Sequence, residues 1–239
     1  MTTVALVGGD GAGKTSVARR LCADPRLRTR YMYMGMSAQS GDHLLPTSRL
    51  MLGLRRRSHR RRTGGEASGG TEPGRIPAAD YEYSGRKRSA LWVAARLANR
   101  LAEAWYRQLI SLAYQARGYL VIYDRHVLLD AGTLDPGRSH RRLPERVYHR
   151  LMRGLFPRPD LVIFLDASGR VLHSRKGEAS PDYLDREARM YAAQAGAVHR
   201  FERIDAGRPL DEVTEEAMHL IAEATPTVFA DHLPPMGLR

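Results

Sequence analysis

Val4-Ala5-Leu6-Val7-Gly8-Gly9-Asp10-Gly11-Ala12-Gly13-Lys14-Thr15-Ser16 is a short apolar run that breaks into a glycine-rich turn and ends in Gly-Lys-Thr. The spacing Gly8-x4-Gly13-Lys14-Thr15 fits the pattern GxxxxGK(S/T). In that pattern successive backbone N–H groups cradle phosphate oxygens, the lysine reaches the β- and γ-phosphates, and the hydroxyl coordinates Mg²⁺. Glycine permits positive φ and close backbone approach to an anion. The helix expected from Lys14 adds its positive dipole end to the same place. A plain strand-to-helix turn with a surface lysine is the competing reading, and the strand, loop and helix context speaks against it. The candidate nucleotide-binding residues are thus Gly8, Asp10, Gly11, Ala12, Gly13, Lys14, Thr15 and Ser16, with ATP and Mg²⁺ as the ligands.

Working outward, 239 residues with 43% hydrophobic content make one large domain with a full core, or one domain with an insertion. No apolar stretch approaches the roughly 18–20 residues that span a bilayer, and no basic-then-apolar leader opens the sequence, so a cytoplasmic protein without membrane contact is expected. Cys22 is the one cysteine, which excludes an intramolecular disulfide and a thiolate metal cluster. The net charge of +12 is concentrated. Between Arg49 and Arg88 lie eleven basic residues, including Arg55, Arg56, Arg57, Arg60, Arg61 and Arg62, against four acidic ones. Flanked by Gly64-Gly65 and Ser68-Gly69-Gly70, this stretch reads as a basic, flexible excursion at about 49–88 from a single domain covering 1–239.

Thr3–Val7 is predicted as a strand buried on both faces, followed by a helix over Lys14–Ala23 that Asp24-Pro25 ends. A strand over Thr29–Met34, a long helix over Lys87–Arg117 stopped by Gly118, and a strand over Tyr119–Tyr123 follow. In the long helix Leu91, Ala94, Ala95, Leu101 and Trp105 are the expected apolar positions. Pro144–Leu155 reads as a helix with proline at its start. Leu161–Leu165 is the most strongly β-like run. Helices at Arg170–Arg175 and Tyr183–Ala195, a last strand over Val198–Ile204 and a closing helix over Leu210–Glu223 complete the chain. Strands alternating with helices imply a parallel central sheet in a three-layer α/β fold.

A second cluster is Asp124-Arg125-His126, directly after a predicted strand. Ligands of parallel sheets gather outside the carboxyl ends of the strands, where the glycine-rich loop also lies. There Asp124 can work through a metal ion or as a base, and Arg125 offers planar, multidentate contact to a phosphate. A capping aspartate beside a surface arginine is the bland alternative.

Taken together these residues resemble the thymidylate kinase family of P-loop kinases. The resemblance rests on Gly8–Thr15, Asp124-Arg125-His126, Pro159-Asp160-Leu161 through Leu165-Asp166, Arg175-Lys176-Gly177-Glu178, and Ile204-Asp205-Ala206-Gly207-Arg208-Pro209 before a helix opening at Leu210. It covers both ends of the chain and little of its middle. It implies a P-loop NTPase fold of nucleoside-monophosphate-kinase type and transfer of the ATP γ-phosphoryl group to a small acceptor, a dTMP-like nucleoside monophosphate first.

Carried over residue by residue, the resemblance gives Lys14 to the triphosphate, and Thr15 and Asp124 to the metal. Asp10, Arg96 and Arg125 go to the acceptor, and Arg175 opens a mobile lid at about 175–186. Because Gly11 and Ala12 leave no arginine inside the loop, the catalytic arginine is expected from the lid. A homodimer through the long helix is likewise implied.

The sequence departs from the family at two places. Val7 stands where an acidic residue usually precedes the first loop glycine, and Met34-Gly35-Met36-Ser37-Ala38-Gln39-Ser40-Gly41 replaces the usual Arg-Glu-Pro-Gly-Gly-type loop. Those positions help recognise a nucleotide acceptor. A sugar or metabolite hydroxyl therefore stays open as the acceptor, and Asp130-x4-Asp135-Pro136-x-Arg138 is closer to divergent members with unassigned acceptors. A nucleic-acid partner for Arg55–Arg62 is disfavoured, because no aromatic residues interleave for base stacking. Scattered histidines suggest no zinc site.

Overall fold

The computed structural model describes residues 2–35, 45, 90–129, 150–152, 154–177 and 179–225. The expectations for the basic stretch at 49–88, for 36–41 and for Asp130–Arg138 lie outside these residues. In chain order the elements are β1 (Thr3–Val7), α1 (Lys14–Ala23), β2 (Thr29–Tyr33), α2 (Ala90–Gln115), β3 (Leu120–Asp124), β4 (Leu161–Asp166), α3 (Gly169–Lys176), α4 (Pro181–Ala192), β5 (Phe201–Asp205) and α5 (Leu210–Ala224). Of the predicted Pro144–Leu155 helix, the described residues 150–152 and 154–155 are helical.

The five strands form one parallel sheet in the order β2-β3-β1-β4-β5. β1 sits at its centre because both its faces are apolar and every residue of it is buried. Side chains alternate across a strand. Val4 and Leu6 therefore meet Val17, Ala18 and Leu21 of α1 with Val213, Ala217 and Ile221 of α5. Ala5 and Val7 meet the opposite layer, built from Ala104 of α2, Met152, Phe156 and Tyr191 of α4. Fully buried side chains such as Leu6, Ile122 and Ile163 each contribute about 1.5–3 kcal/mol.

The start of the sheet is pinned by Asp160. Its Oδ2 accepts from the Thr2 and Thr3 amides at 2.9 and 3.0 Å and from the Thr3 hydroxyl at 2.8 Å. Partial burial pushes this carboxyl up, but the amide and hydroxyl bonds outweigh it and hold the group below its ordinary value.

Three local differences from the sequence reading have physical causes. α4 starts at Pro181 rather than Tyr183, because Ser180 caps it and proline suits the first helical position. β5 starts at Phe201, three residues later than expected, at the edge of the sheet where among the described residues β4 is its one neighbour. In α2, Ala94 and Ala95 are exposed, Leu101 packs half-buried against the core as expected with the Trp105 ring edge-on to Phe156, and the fully buried residues are Ala104, Arg107, Gln108 and Ser111. That polar stripe is tolerated because the sheet supplies partners: the Ser111 and Tyr123 hydroxyls lie 2.6 Å apart. Among the described residues no helix is long and apolar enough to cross a membrane.

Candidate functional site

Parallel pairing sets Leu6 level with Asp124, so the loop leaving β1 and the end of β3 emerge side by side. β1 feeds a connection towards β2 on one side, while the chain passes from β3 to β4 on the other. The carboxyl ends around β1 therefore form the crevice where ligands of such sheets bind.

The glycine-rich loop is closely packed. A Cβ on Gly8 would stand 2.4 Å from the Leu165 carbonyl oxygen, and one on Gly11, whose φ is +94°, would stand 2.7 Å from the Leu172 carbonyl oxygen. The loop thus lies directly against β4 and α3. Gly11→Ala is expected to cost about 2 kcal/mol or more through left-handed strain and displacement of α3. That corresponds to a melting-temperature drop of about 4–8 °C by calorimetry.

Gly13 precedes α1 in the left-handed region and no side chain caps the helix. The first backbone bond of its opening turn runs from the Val17 amide to the Gly13 carbonyl at 2.9 Å. The N–H groups of Lys14, Thr15 and Ser16 therefore stand ahead of the helical ladder, the arrangement that takes an anion. Ala12 is buried and its amide bonds to the Gly9 carbonyl at 3.2 Å.

Lys14 folds back onto the loop. Its Nζ donates to the Gly8 and Gly9 carbonyls at 2.9 and 2.7 Å. Burial pushes its pKa down to about 8, helped by the neighbouring Arg125 charge and opposed by Asp10, Asp124 and Glu187. Thr15 donates its hydroxyl to Oδ2 of Asp124 at 2.5 Å, and the Tyr31 phenol donates to the same oxygen at 2.9 Å. Burial and the Asp124 charge push the Tyr31 phenol well above its ordinary pKa, so it remains a donor. Asp124 is 1% exposed, and its Oδ1 has no hydrogen-bond partner among the described residues.

Arg125 adopts φ +66°, a left-handed conformation that a side chain other than glycine takes only under constraint. The turn brings its guanidinium to the Asp10 carboxylate, which also has the Lys176 ammonium at 3.9 Å. Burial pushes Asp10 up, but Arg125, Lys14 and Lys176 together hold it below the usual carboxylate value. His126 is buried between the Tyr123 and Phe156 rings, and burial lowers its pKa to about 3. It is a neutral ring at physiological pH.

The structure thus brings together Lys14, Thr15, Asp124, Asp10 and Arg125. Ser16 is exposed on the first turn of α1. Arg175 is directed elsewhere: its guanidinium donates to the Ala206 and Gly207 carbonyls after β5 at 2.8 and 3.4 Å. Among the described residues of the 175–186 segment it is Lys176 that reaches the loop side. The Arg96 side chain lies outside the described residues. Arg107, on the same helix, is buried and holds the Gly35 carbonyl at 2.9 Å and Glu103 at 2.7 Å, which anchors the chain leaving β2.

Sequence reasoning missed Tyr31, Glu187 and Arg107. Glu187 is buried on α4, with Oε2 3.6 Å from where a Gly9 Cβ would stand. Val7 is 2% exposed and packed into the core on the α2 side of the sheet.

Among the described residues no group of three or more His, Cys, Asp or Glu is placed to hold a metal ion. A hydroxyl and one carboxylate beside a loop that presents free backbone N–H groups instead suit a hard cation that keeps most of its ligands from phosphate and water, as Mg²⁺ does. The unpartnered Asp124 Oδ1 and the uncapped helix start both fit such a pair of ligands. Set against models of protein families and against curated proteins, the chain matches none of them.

Proposed function

We propose that the chain is a Mg²⁺-dependent kinase with the P-loop NTPase fold of nucleoside-monophosphate-kinase type, similar to thymidylate kinases. It would move the γ-phosphoryl group of ATP to a small acceptor. The observation that carries this reading is the convergence of Lys14, Thr15 and Asp124 with the uncapped start of α1 at the carboxyl ends of β1 and β3.

In this reading the loop amides and the Lys14, Thr15 and Ser16 N–H groups bind the phosphates. Lys14 exchanges its loop carbonyls for β- and γ-phosphate oxygens. Thr15 and Asp124 would hold the cation, and Mg²⁺ when bound would supply neutralisation of the charge on the phosphates. Arg125 and Asp10 face the acceptor side, the arginine for an acceptor phosphate and the carboxylate for a hydroxyl proton or its hydrogen bond. Lys176 approaches from α3 and adds positive charge near the transferring group. Phosphoryl transfer asks little covalent chemistry of the protein, so positioning and electrostatics carry the rate.

A nucleoside monophosphate is the first acceptor to test. Val7 favours a second reading, a sugar or metabolite hydroxyl: where a nucleotide-reading carboxylate would stand, an apolar side chain is buried in the core. A coupled assay of ADP release with dTMP, dUMP, other monophosphates and phosphate-free alcohols decides both. Turnover of dTMP at micromolar concentration supports the first acceptor, and no release above background with any acceptor sinks the kinase reading.

A further inference from the structure

We propose that Tyr31 is a positioning residue for the Asp124 carboxylate, reserving its Oδ1 for the cation's coordination shell. The inference rests on reading the site as one for Mg²⁺ and a triphosphate. β2 lies beside β3 with Tyr31 level with Ile122, so the phenol reaches along the sheet to the carboxyl end of its neighbour. There it donates to Oδ2 of Asp124 at 2.9 Å, on the oxygen that already accepts from Thr15 at 2.5 Å. The ring is packed against the core cluster that contains Val4, Leu6 and Ile122, which fixes the direction of the donor.

A carboxylate held by one donor can swing about its last torsion, which redirects both oxygens. Two donors converging on one oxygen remove that freedom. The other oxygen, buried and without a partner among the described residues, is then always presented in the same direction. Leaving a buried acceptor unmade is costly in a ligand-free protein, and nearly all such groups are partnered. The arrangement makes sense when Oδ1 is kept for something that enters. Thr15 cannot do this alone, because its oxygen must turn a lone pair to the cation while its proton stays on Asp124. Tyr31 has no such second duty. Partners that orient a metal-binding carboxylate typically matter by 10–100-fold in metal affinity.

The test is a Mg²⁺ titration at saturating ATP, read as melting temperature, on the full chain and on Tyr31→Phe, with Tyr114→Phe as the control. Tyr114 lies on α2, its ring 6.1 Å from that of Tyr119. The expected result is a Mg²⁺ midpoint raised roughly tenfold or more in Tyr31→Phe. ATP stabilisation without Mg²⁺ should be unchanged, and turnover should be recovered at high Mg²⁺, while the control matches the unsubstituted chain. A merely structural tyrosine would instead lower the melting temperature equally with and without Mg²⁺. An unchanged midpoint in a Tyr31→Phe protein that still binds ATP overturns the proposal. Absence of any ATP effect in the unsubstituted chain overturns the triphosphate reading and this one with it, an outcome distinct from the first. If Tyr31→Phe does not melt cooperatively, Tyr31→Ile removes the same hydroxyl with a side chain suited to a strand and is read in the same way.

Discussion

Lys14→Ala is expected to abolish ATP-dependent thermal stabilisation, weakening ATP on the order of 100-fold or more through loss of charge-assisted contacts to the phosphates. The side chain is 7% exposed, and among the described residues its charge is met by two loop carbonyls and by the neighbouring Asp10, Asp124 and Glu187 carboxylates. Its pKa of about 8 gives the binding a characteristic pH signature. An arriving triphosphate favours the charged amine, so ATP binding takes up a proton where the free site has begun to lose it. ATP affinity then falls as pH rises through about 8.

Stability moves the other way. The unfolded lysine keeps its proton up to its ordinary pKa of 10.5, so between about 8 and 10.5 the unfolded chain binds more protons and folding gains with pH. Calorimetric titration in two buffers of different ionisation enthalpy measures the proton uptake. Lys14→Ala should remove both pH effects. Persistence of ATP stabilisation in that variant, with its fold checked by denaturant melting, sinks the triphosphate reading.

The elements that build the crevice are written plainly in the sequence. β1 and β4 are apolar on both faces because a parallel central strand has no solvent side, and α1 begins where glycine's positive φ ends and stops at Asp24-Pro25. Lys14, Thr15, Asp124 and Arg125 were legible because each follows a recognisable strand end. Tyr31 was not, since its role exists only through the register that places β2 beside β3. Glu187 was equally hidden, because an acidic residue in a helix reads as solvated until α4 is folded under the loop.

Leu97 and Leu101 of α2 do pack on the core, but the most deeply buried part of that face could not be read from alanines and leucines. Its buried stripe is polar, and what satisfies it comes from Tyr123 on β3 and from the Gly35 carbonyl, 72 residues from Arg107 in sequence. Arg175 and Lys176 show a finer limit. Neighbours on a helix point about 100° apart, so one cation of the pair goes to the turn after β5 and the other to Asp10, and composition does not say which.

Asp124→Asn carries the second large expectation: turnover lower by roughly 10²–10³, with the fold retained and ATP binding without Mg²⁺ unchanged or tighter. The amide oxygen of asparagine can take over the bonds from Thr15 and Tyr31, so the local packing survives. Its NH2 group then stands where Oδ1 stood, presenting donors in place of a charge. A cation loses the carboxylate beside Thr15, whereas the phosphates lose a nearby negative charge. The two ligands therefore respond in opposite directions, a pattern that general damage to the site does not produce. Melting temperatures with ATP alone and with ATP plus Mg²⁺, measured beside single-turnover rates, resolve the pattern. If the increment added by Mg²⁺ is as large in Asp124→Asn as in the unsubstituted chain, Asp124 is not the cation's carboxylate, and the metal must be held from elsewhere in the crevice.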